Sequence, residues 1–374
     1  MAKTSVLKRK SSTQTLPAPR AAGLLKWYDK YARDLPWREH NGRAPSPYHT
    51  WISEIMLQQT TVATVIPYYK RFISRWPTVQ ALAAASDEDV MKEWAGLGYY
   101  SRARNLHACA KAVTAEYGGV FPAELAELKK LPGIGPYTAA AIRTIAFDLP
   151  ANVVDGNVER VMSRIFAYDK PLNEPKNKKA LHDIAAAYVP AKRPGDYAQA
   201  LMDLGATVCT PQKPNCGACP WQKNCAAFAS CKPDAYPVVI RKKSVPTRHM
   251  AAFLLFDEAG RIYLRRRPAK GLLGGLWEPP STDWRVGHAW ENGELTALPF
   301  FKALRAHALD KQVVHVFTHF KLICRLYVSR QAKTAKKIDP NGDWFALDAL
   351  PAIATLTEKM LRTAKALGET PELA

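Results

Sequence analysis

The chain is poor in negative charge. Its 374 residues hold 33 Asp and Glu against 53 Lys and Arg, a net charge of +20. Such an excess repels itself and points to a polyanionic partner. Long apolar runs are also missing: no stretch approaches the ~18 residues of a membrane span. The opening MAKTSVLKRKSSTQTLPAPR has five basic residues but neither an acid nor the apolar core of a secretory signal. No long basic amphipathic helix marks a membrane-surface protein. Cysteine is scarce, at 7 residues, which argues against a disulfide scaffold; a chain of this length can bury ~75% of its surface without one. With 47% hydrophobic and 23% charged residues, it is neither collagen-like nor disordered. The expectation is a cytoplasmic protein of two or three domains that meets a polyanion.

Residues 1–20 read as a disordered basic tail. From 21 to 228 the apolar residues recur at helical spacing, as in LLKWYDKYA, WISEIMLQQ, NVERVMSRIF and ALHDIAAAYV. Residues 229–247 hold three prolines and four basic residues and read as a linker. Over 248–374 the periodicity turns to strands, in AAFLLFD, RIYLRRRP and KLICRLYVSR, with a helical tail near Leu356–Ala366. The predicted fold is therefore multidomain, all-α followed by a smaller α+β part, with no internal repeat.

Four of the cysteines form CTPQKPNCGACPWQKNC, with C-x6-C-x2-C-x5-C spacing from Cys209 to Cys225. Cys209, Cys216, Cys219 and Cys225 lie within 17 residues among Pro and Gly and can wrap one metal centre; tetrathiolate chemistry alone allows zinc or an iron–sulfur cube. Cys231 lies just beyond, while Cys109 and Cys324 sit in apolar patterns suited to packing.

Leu131-Pro132-Gly133-Ile134-Gly135-Pro136-Tyr137-Thr138 stands between helical segments. Gly133 and Gly135 permit a tight turn, and Pro136 suits a first helical position. Backbone N–H groups there make an anion site. Glu54 lies at the edge of the apolar face formed by Trp51, Ile52, Ile55 and Met56, where burial favours a protonated acid. Asp155 precedes the helix VERVMSRIF, a capping position whose N–H groups favour an ionised carboxylate.

The LPGIG hairpin, the four-cysteine loop and the segments SEIMLQQT, GLGYYSRARNL, VDGNV and ALMDLGATVC resemble those of the helix-hairpin-helix DNA glycosylases, specifically the MutY-type adenine DNA glycosylases. The resemblance spans roughly residues 22–228 and continues through GLWEPP and HVFTHF in the carboxy-terminal part. It implies an all-α helix-hairpin-helix glycosylase domain with a [4Fe–4S] loop, then an α+β Nudix-like domain. It further implies a monomer that flips adenine out of double-stranded DNA at A:8-oxoguanine or A:G mispairs, in a nucleoid-associated and bacterial setting. Cleaving an N-glycosidic bond wants one acid and one anionic carboxylate; the family assigns these to Glu54 and Asp155.

Tyr137 stands where bifunctional relatives such as endonuclease III carry a lysine. Without an amine to form a Schiff base, a monofunctional glycosylase is expected. The family places Gln59 and Thr60 against the bases and Tyr99 as an intercalating wedge. Arg102 and Arg104 open a helix whose dipole disfavours cations, which suggests a phosphate nearby. Gln199, with Arg38 as a lesser candidate, matches the adenine pocket. Phe317-Thr318-His319 stands where the family has a Phe-Ser-His loop that reads 8-oxoguanine. The sequence after GLWEPP lacks the R-E-x-x-E-E metal box, so pyrophosphatase activity is not expected. The rival readings are an endonuclease III-like lyase on oxidised pyrimidines and a non-catalytic mispair-binding protein.

Overall fold

The structure, a computed structural model, describes residues 17–39, 44–240, 245–268, 270–298, 301–330 and 341–371. The basic tail through residue 16, and 241–244 of the expected linker, lie outside the described residues. The helices are α1 (Ala21–Tyr31), α2 (Pro47–Leu57), α3 (Val62–Arg75), α4 (Val79–Ala83), α5 (Asp87–Trp94), α6 (Ser101–Tyr117), α7 (Leu125–Leu128), α8 (Pro136–Ala141), α9 (Gly156–Ile165), α10 (Pro175–Ala186), α11 (Pro194–Thr207), α12 (Ala226–Ala229), α13 (Asn292–Thr296), α14 (Phe301–Leu304) and α15 (Thr355–Ala366). Local chemistry sets many starts. Thr61, Thr78, Ser86 and Asp155 each accept a first-turn N–H, and prolines open α8, α10 and α11.

Two compact units emerge, and the chain passes finally from one to the other at 241/242, inside the expected linker. One comprises Met1–Glu54, Phe121–Lys130 and Ile134–Arg241; the other comprises Ile55–Val120, Leu131–Gly133 and Lys242–Ala374. Residues of the helical segment over 21–228 contribute to both units.

In the first unit α9 and α11 pack together. Val158, Val161 and Met162 meet Leu201 and Leu204, with Leu24 and Trp221 closing the core. Burial of each such side chain contributes ~1.5–3 kcal/mol. The helix expected over AAAIRTIAF is α8 followed by a wide π turn, Ile142–Ala146. Gly195 is needed against that turn, because a Cβ there would sit 2.6 Å from the Thr144 carbonyl oxygen. Residues 229–240 do not hang free as a linker. The Leu172 N–H donates to Val238, the Asn173 side chain pairs with the Ile240 backbone, and Arg164 donates to the carbonyls of Pro233 and Tyr236.

The second unit contains α3–α6 and a sheet-bearing segment. β1 (Thr247–Leu255), β2 (Ile262–Arg266), β3 (Trp277–Glu278), β4 (Arg285–Val286), β5 (His307–Ala308), β6 (Val313–Val316), β7 (Lys321–Ser329) and β8 (Gly342–Phe345) form two sheets. The larger runs β4-β1-β7-β5, with β6 also on β7, and the smaller runs β3-β2-β8. β1 and β7 pair in parallel from Thr247↔Lys321 to Leu255↔Ser329, and both are buried over their second halves.

Candidate active site

Glu54 is carried by α2 and is buried, with 7% of its surface exposed. The Tyr137 hydroxyl, from α8, hydrogen-bonds to its carboxyl. Burial is the largest influence and pushes Glu54 up to about 7; the Tyr137 bond opposes this, the Asp155 charge adds to it and Arg38 opposes it. The Tyr137 hydroxyl is itself held well above its ordinary range, first by burial and then by the two carboxylates. Asp155 is half-buried at the cap of α9. One of its oxygens accepts from the Val158 N–H at 2.7 Å and the other from the Asn157 amide at 3.0 Å. Both carboxyl oxygens are thus hydrogen-bond acceptors. Glu54, Tyr137 and Asp155 thus act on one another electrostatically.

In the same unit a cleft of about 510 Å³ is lined by Tyr28, Arg33, Arg38, Asp148, Gln199 and neighbours. Gln199 is buried on α11, its amide nitrogen 3.4 Å from the Gly195 carbonyl. Arg38 is not free in this cleft. Its two terminal nitrogens donate to both oxygens of Asp203 at 2.7 and 2.8 Å, and its guanidinium lies 5.7 Å from the Tyr28 ring centre. Arg33 adds a side-chain bond of 2.6 Å and a backbone bond of 2.9 Å to the same carboxylate. Sequence reading missed Asp203. Its signal was an acid four residues after Gln199, on the same helical face of a segment otherwise apolar.

Cys209, Cys216, Cys219 and Cys225 line one small apolar pocket with Val161, Leu204 and Arg164; Cys231 is exposed and outside it. Burial pushes the Cys219 thiol up to about 12 and raises Cys216 and Cys225. Arg164, also missed in the sequence, is buried and donates to the Cys209 sulfur at 3.3 Å and to the carbonyls of Thr210 and Pro211. Among the described residues no group of three or more His, Cys, Asp or Glu is arranged to hold a metal ion. The end of the basic tail packs here too, with Trp221 and Asn224 donating to carbonyls of Arg20 and Pro17.

The second unit holds Gln59, Thr60, Tyr99, Arg102, Gly133, Phe317, Thr318 and His319, while Gly135 belongs to the first. Tyr99 and Gln59 are exposed on left-handed backbone, at φ 48° and 57°. Thr60 donates to the Gln58 carbonyl at 3.3 Å. A cleft of about 860 Å³ is lined by Tyr99, Arg104, Arg248, Phe317, Thr318 and His319 among others. The Tyr99 and Thr318 hydroxyls are 2.5 Å apart, and Phe317 packs on Trp284 and Phe320 at 5.6 and 4.7 Å. Arg104 is bonded to the Gly274 carbonyl. Gly133 takes φ 75° and lies so close to Asn105 that a Cβ would be 2.7 Å from its Cβ. Gly135, at φ −86°, needs no such freedom.

Arg102 departs from expectation. Its guanidinium is turned inward, donating to the carbonyls of Ile55, Met56, Leu97 and Gly98 and to the Thr60 hydroxyl. Those carbonyls, rather than a phosphate, offset its place in the first turn of α6. Burial accordingly depresses it to about 10.

Against known proteins, residues 52–239 match the HhH-GPD superfamily base excision DNA repair proteins and residues 251–363 match the NUDIX domain. The adenine DNA glycosylase of Rattus norvegicus is 38% identical, covering 91% of this chain and 76% of its own. This chain belongs to the adenine DNA glycosylase family. Another member, from Buchnera aphidicola, is 32% identical over 87% of this chain and 92% of its own. With relatives from a rodent and a bacterium, the comparisons do not assign the expected bacterial source. The fold of a thermostable thymine-DNA glycosylase superposes with a TM-score of 0.50 at 32% identity, covering 56% of this chain and 95% of that one. As an adenine DNA glycosylase the chain hydrolyses the bond between adenine and deoxyribose in base excision repair. No helix among the described residues is long and apolar enough to cross a membrane.

Proposed function

We propose that this glycosylase acts as a monomer on adenine opposite 8-oxoguanine or guanine, with Glu54 as the acid and Asp155 as the anionic partner. The observation that carries the reading is the buried Glu54 carboxyl, bonded by Tyr137 and raised further by the Asp155 charge. Protonated Glu54 gives its proton to adenine N7. The C1′–N9 bond then breaks, its electron pair leaving with the base. The cationic sugar is stabilised by Asp155, with a transient acetal as an available intermediate, and water attacks C1′ while Glu54 takes the proton back. General acid–base and electrostatic contributions of this kind are worth roughly 10²–10⁴ and 10²–10³ in rate. Tyr137 offers no amine, which fits excision without strand scission.

Gln199 and Arg38 line the cleft suited to the flipped base; an amide pairs well with an adenine edge. Gln59, Thr60 and Tyr99 suit the remaining duplex, and the hairpin at Gly133 and Gly135 suits a phosphate. Phe317, Thr318 and His319 would meet the opposite base, in the cleft they share with Tyr99. Cys209, Cys216, Cys219 and Cys225 would hold a [4Fe–4S] cluster. Their shared pocket and the Arg164 donor at the Cys209 sulfur fit that donor set. When bound, the cluster supplies a cross-link that fixes the loop.

Purified protein should be incubated with duplexes carrying A opposite 8-oxoguanine, A opposite G, and thymine glycol, with and without alkali. Alkali-dependent breaks at the two adenine duplexes alone support the reading. Alkali-independent breaks at thymine glycol would replace it with a lyase, and binding without excision with a mispair sensor.

A further inference from the structure

Among the described residues, three charged or titratable groups bear on Glu54: Tyr137 from α8, Asp155 from the cap of α9 and Arg38 from the segment after α1. Arg38 is the cation of the three. A guanidinium free to reach a carboxyl would pair with it and hold it ionised, which an acid cannot tolerate. Arg38 does not do so, and the geometry shows why. Asp203 is fully buried and takes both terminal nitrogens of Arg38, in the two-pronged geometry that fixes a guanidinium most firmly. Arg33 fills the other side of the same carboxylate through its side chain and its backbone N–H. Tyr28 covers the guanidinium face.

We propose that Asp203 is a positioning residue that holds the Arg38 guanidinium off Glu54 and so keeps Glu54 able to carry the proton it delivers. This rests on the reading of Glu54 as the acid. Removing the charge of Asp203 frees Arg38 from its carboxylate partner, and its charge can then act more fully on Glu54. Glu54 should then ionise at lower pH, and excision should fade at lower pH.

The test is the pH profile of single-turnover excision, by the full chain, from a duplex with adenine opposite 8-oxoguanine. Excision needs protonated Glu54, so its alkaline limb follows that group. In Asp203→Asn the limb should move down by about one pH unit or more, the usual effect of a new opposite charge. In Arg38→Met it should move up, because the one opposing cation is gone while burial and Asp155 act unchanged. The double variant should lie with Arg38→Met, a pattern that a general loss of structure would not produce. A limb at the wild-type position in folded Asp203→Asn, or a double variant that keeps the downward shift, overturns the proposal. If Asp203→Asn does not fold, Arg38→Met decides alone: an unmoved limb means Arg38 does not govern Glu54. Glu54→Gln is run alongside. Its retained excision would refute the acid reading itself, whereas a dead Glu54→Gln with an unmoved Asp203→Asn refutes only the positioning role.

Discussion

The Tyr137 hydroxyl bonds to the Glu54 carboxyl and opposes the burial that keeps that carboxyl protonated. The balance leaves Glu54 near 7, so the acid is present below that pH and is lost as pH rises through it. Excision should therefore fall on the alkaline side of neutrality. Glu54→Gln, which has no proton to give, should lower single-turnover excision by roughly 10²–10⁴ while keeping mispair affinity. Asp155→Asn should lose roughly 10²–10³ by weakening cation stabilisation. Near-normal rates in either would contradict the assigned roles.

Iron retention separates the thiols. Serine at Cys209, Cys216, Cys219 or Cys225 should lose iron, colour and DNA affinity together. Cys231→Ser, exposed and outside the shared pocket, should keep all three. Iron analysis and visible absorption decide it, and equal retention in all five would mean a different ligand set.

Arg102 should matter to folding, not to phosphate. Arg102→Met leaves the buried carbonyls of Ile55, Met56 and Leu97 without their donor. At ~1–3 kcal/mol for each unsatisfied group, partly relieved by relaxation, the loss should be about 2–5 kcal/mol in denaturant melts. The salt dependence of DNA binding should not change, whereas losing a phosphate contact would lower its slope by about 0.9.

Tyr99 and Thr318 share one hydrogen bond at the second cleft. Tyr99→Phe and Thr318→Ala should each reduce the ratio of excision opposite 8-oxoguanine to that opposite guanine. A hydroxyl bond worth ~0.5–1.5 kcal/mol corresponds to roughly two- to tenfold. The double variant should lose little more than either single one. Full additivity would show that the two hydroxyls act separately.

Much of this was legible in the residues. Helical spacing, the four-cysteine run, the Asp155 cap and the strand pattern of the carboxy-terminal part depend on local sequence and appear where the pattern put them. The buried cations were not legible. Arg102, Arg38 and Arg164 look like surface charges in a basic protein, yet each is buried on acceptors, which for Arg38 and Arg164 come from segments more than forty residues away. Only the folded chain shows that Asp203 closes on Arg38 across 165 positions. The split into two units was hidden for the same reason, since it depends on which distant segments share a core.

That split bears on how such proteins can be recombined. In the second unit the Tyr100 hydroxyl donates to the Ile353 carbonyl, Arg104 to the Gly274 carbonyl, and Tyr99 meets Thr318. The sheet-bearing segment thus grips the turn that opens α6. A chimaera joined near residue 247, where the sequence families change, would inherit these partners from different parents. For such an exchange to give a sound protein, the Gly98–Arg104 turn should travel with the carboxy-terminal segment as one heritable block.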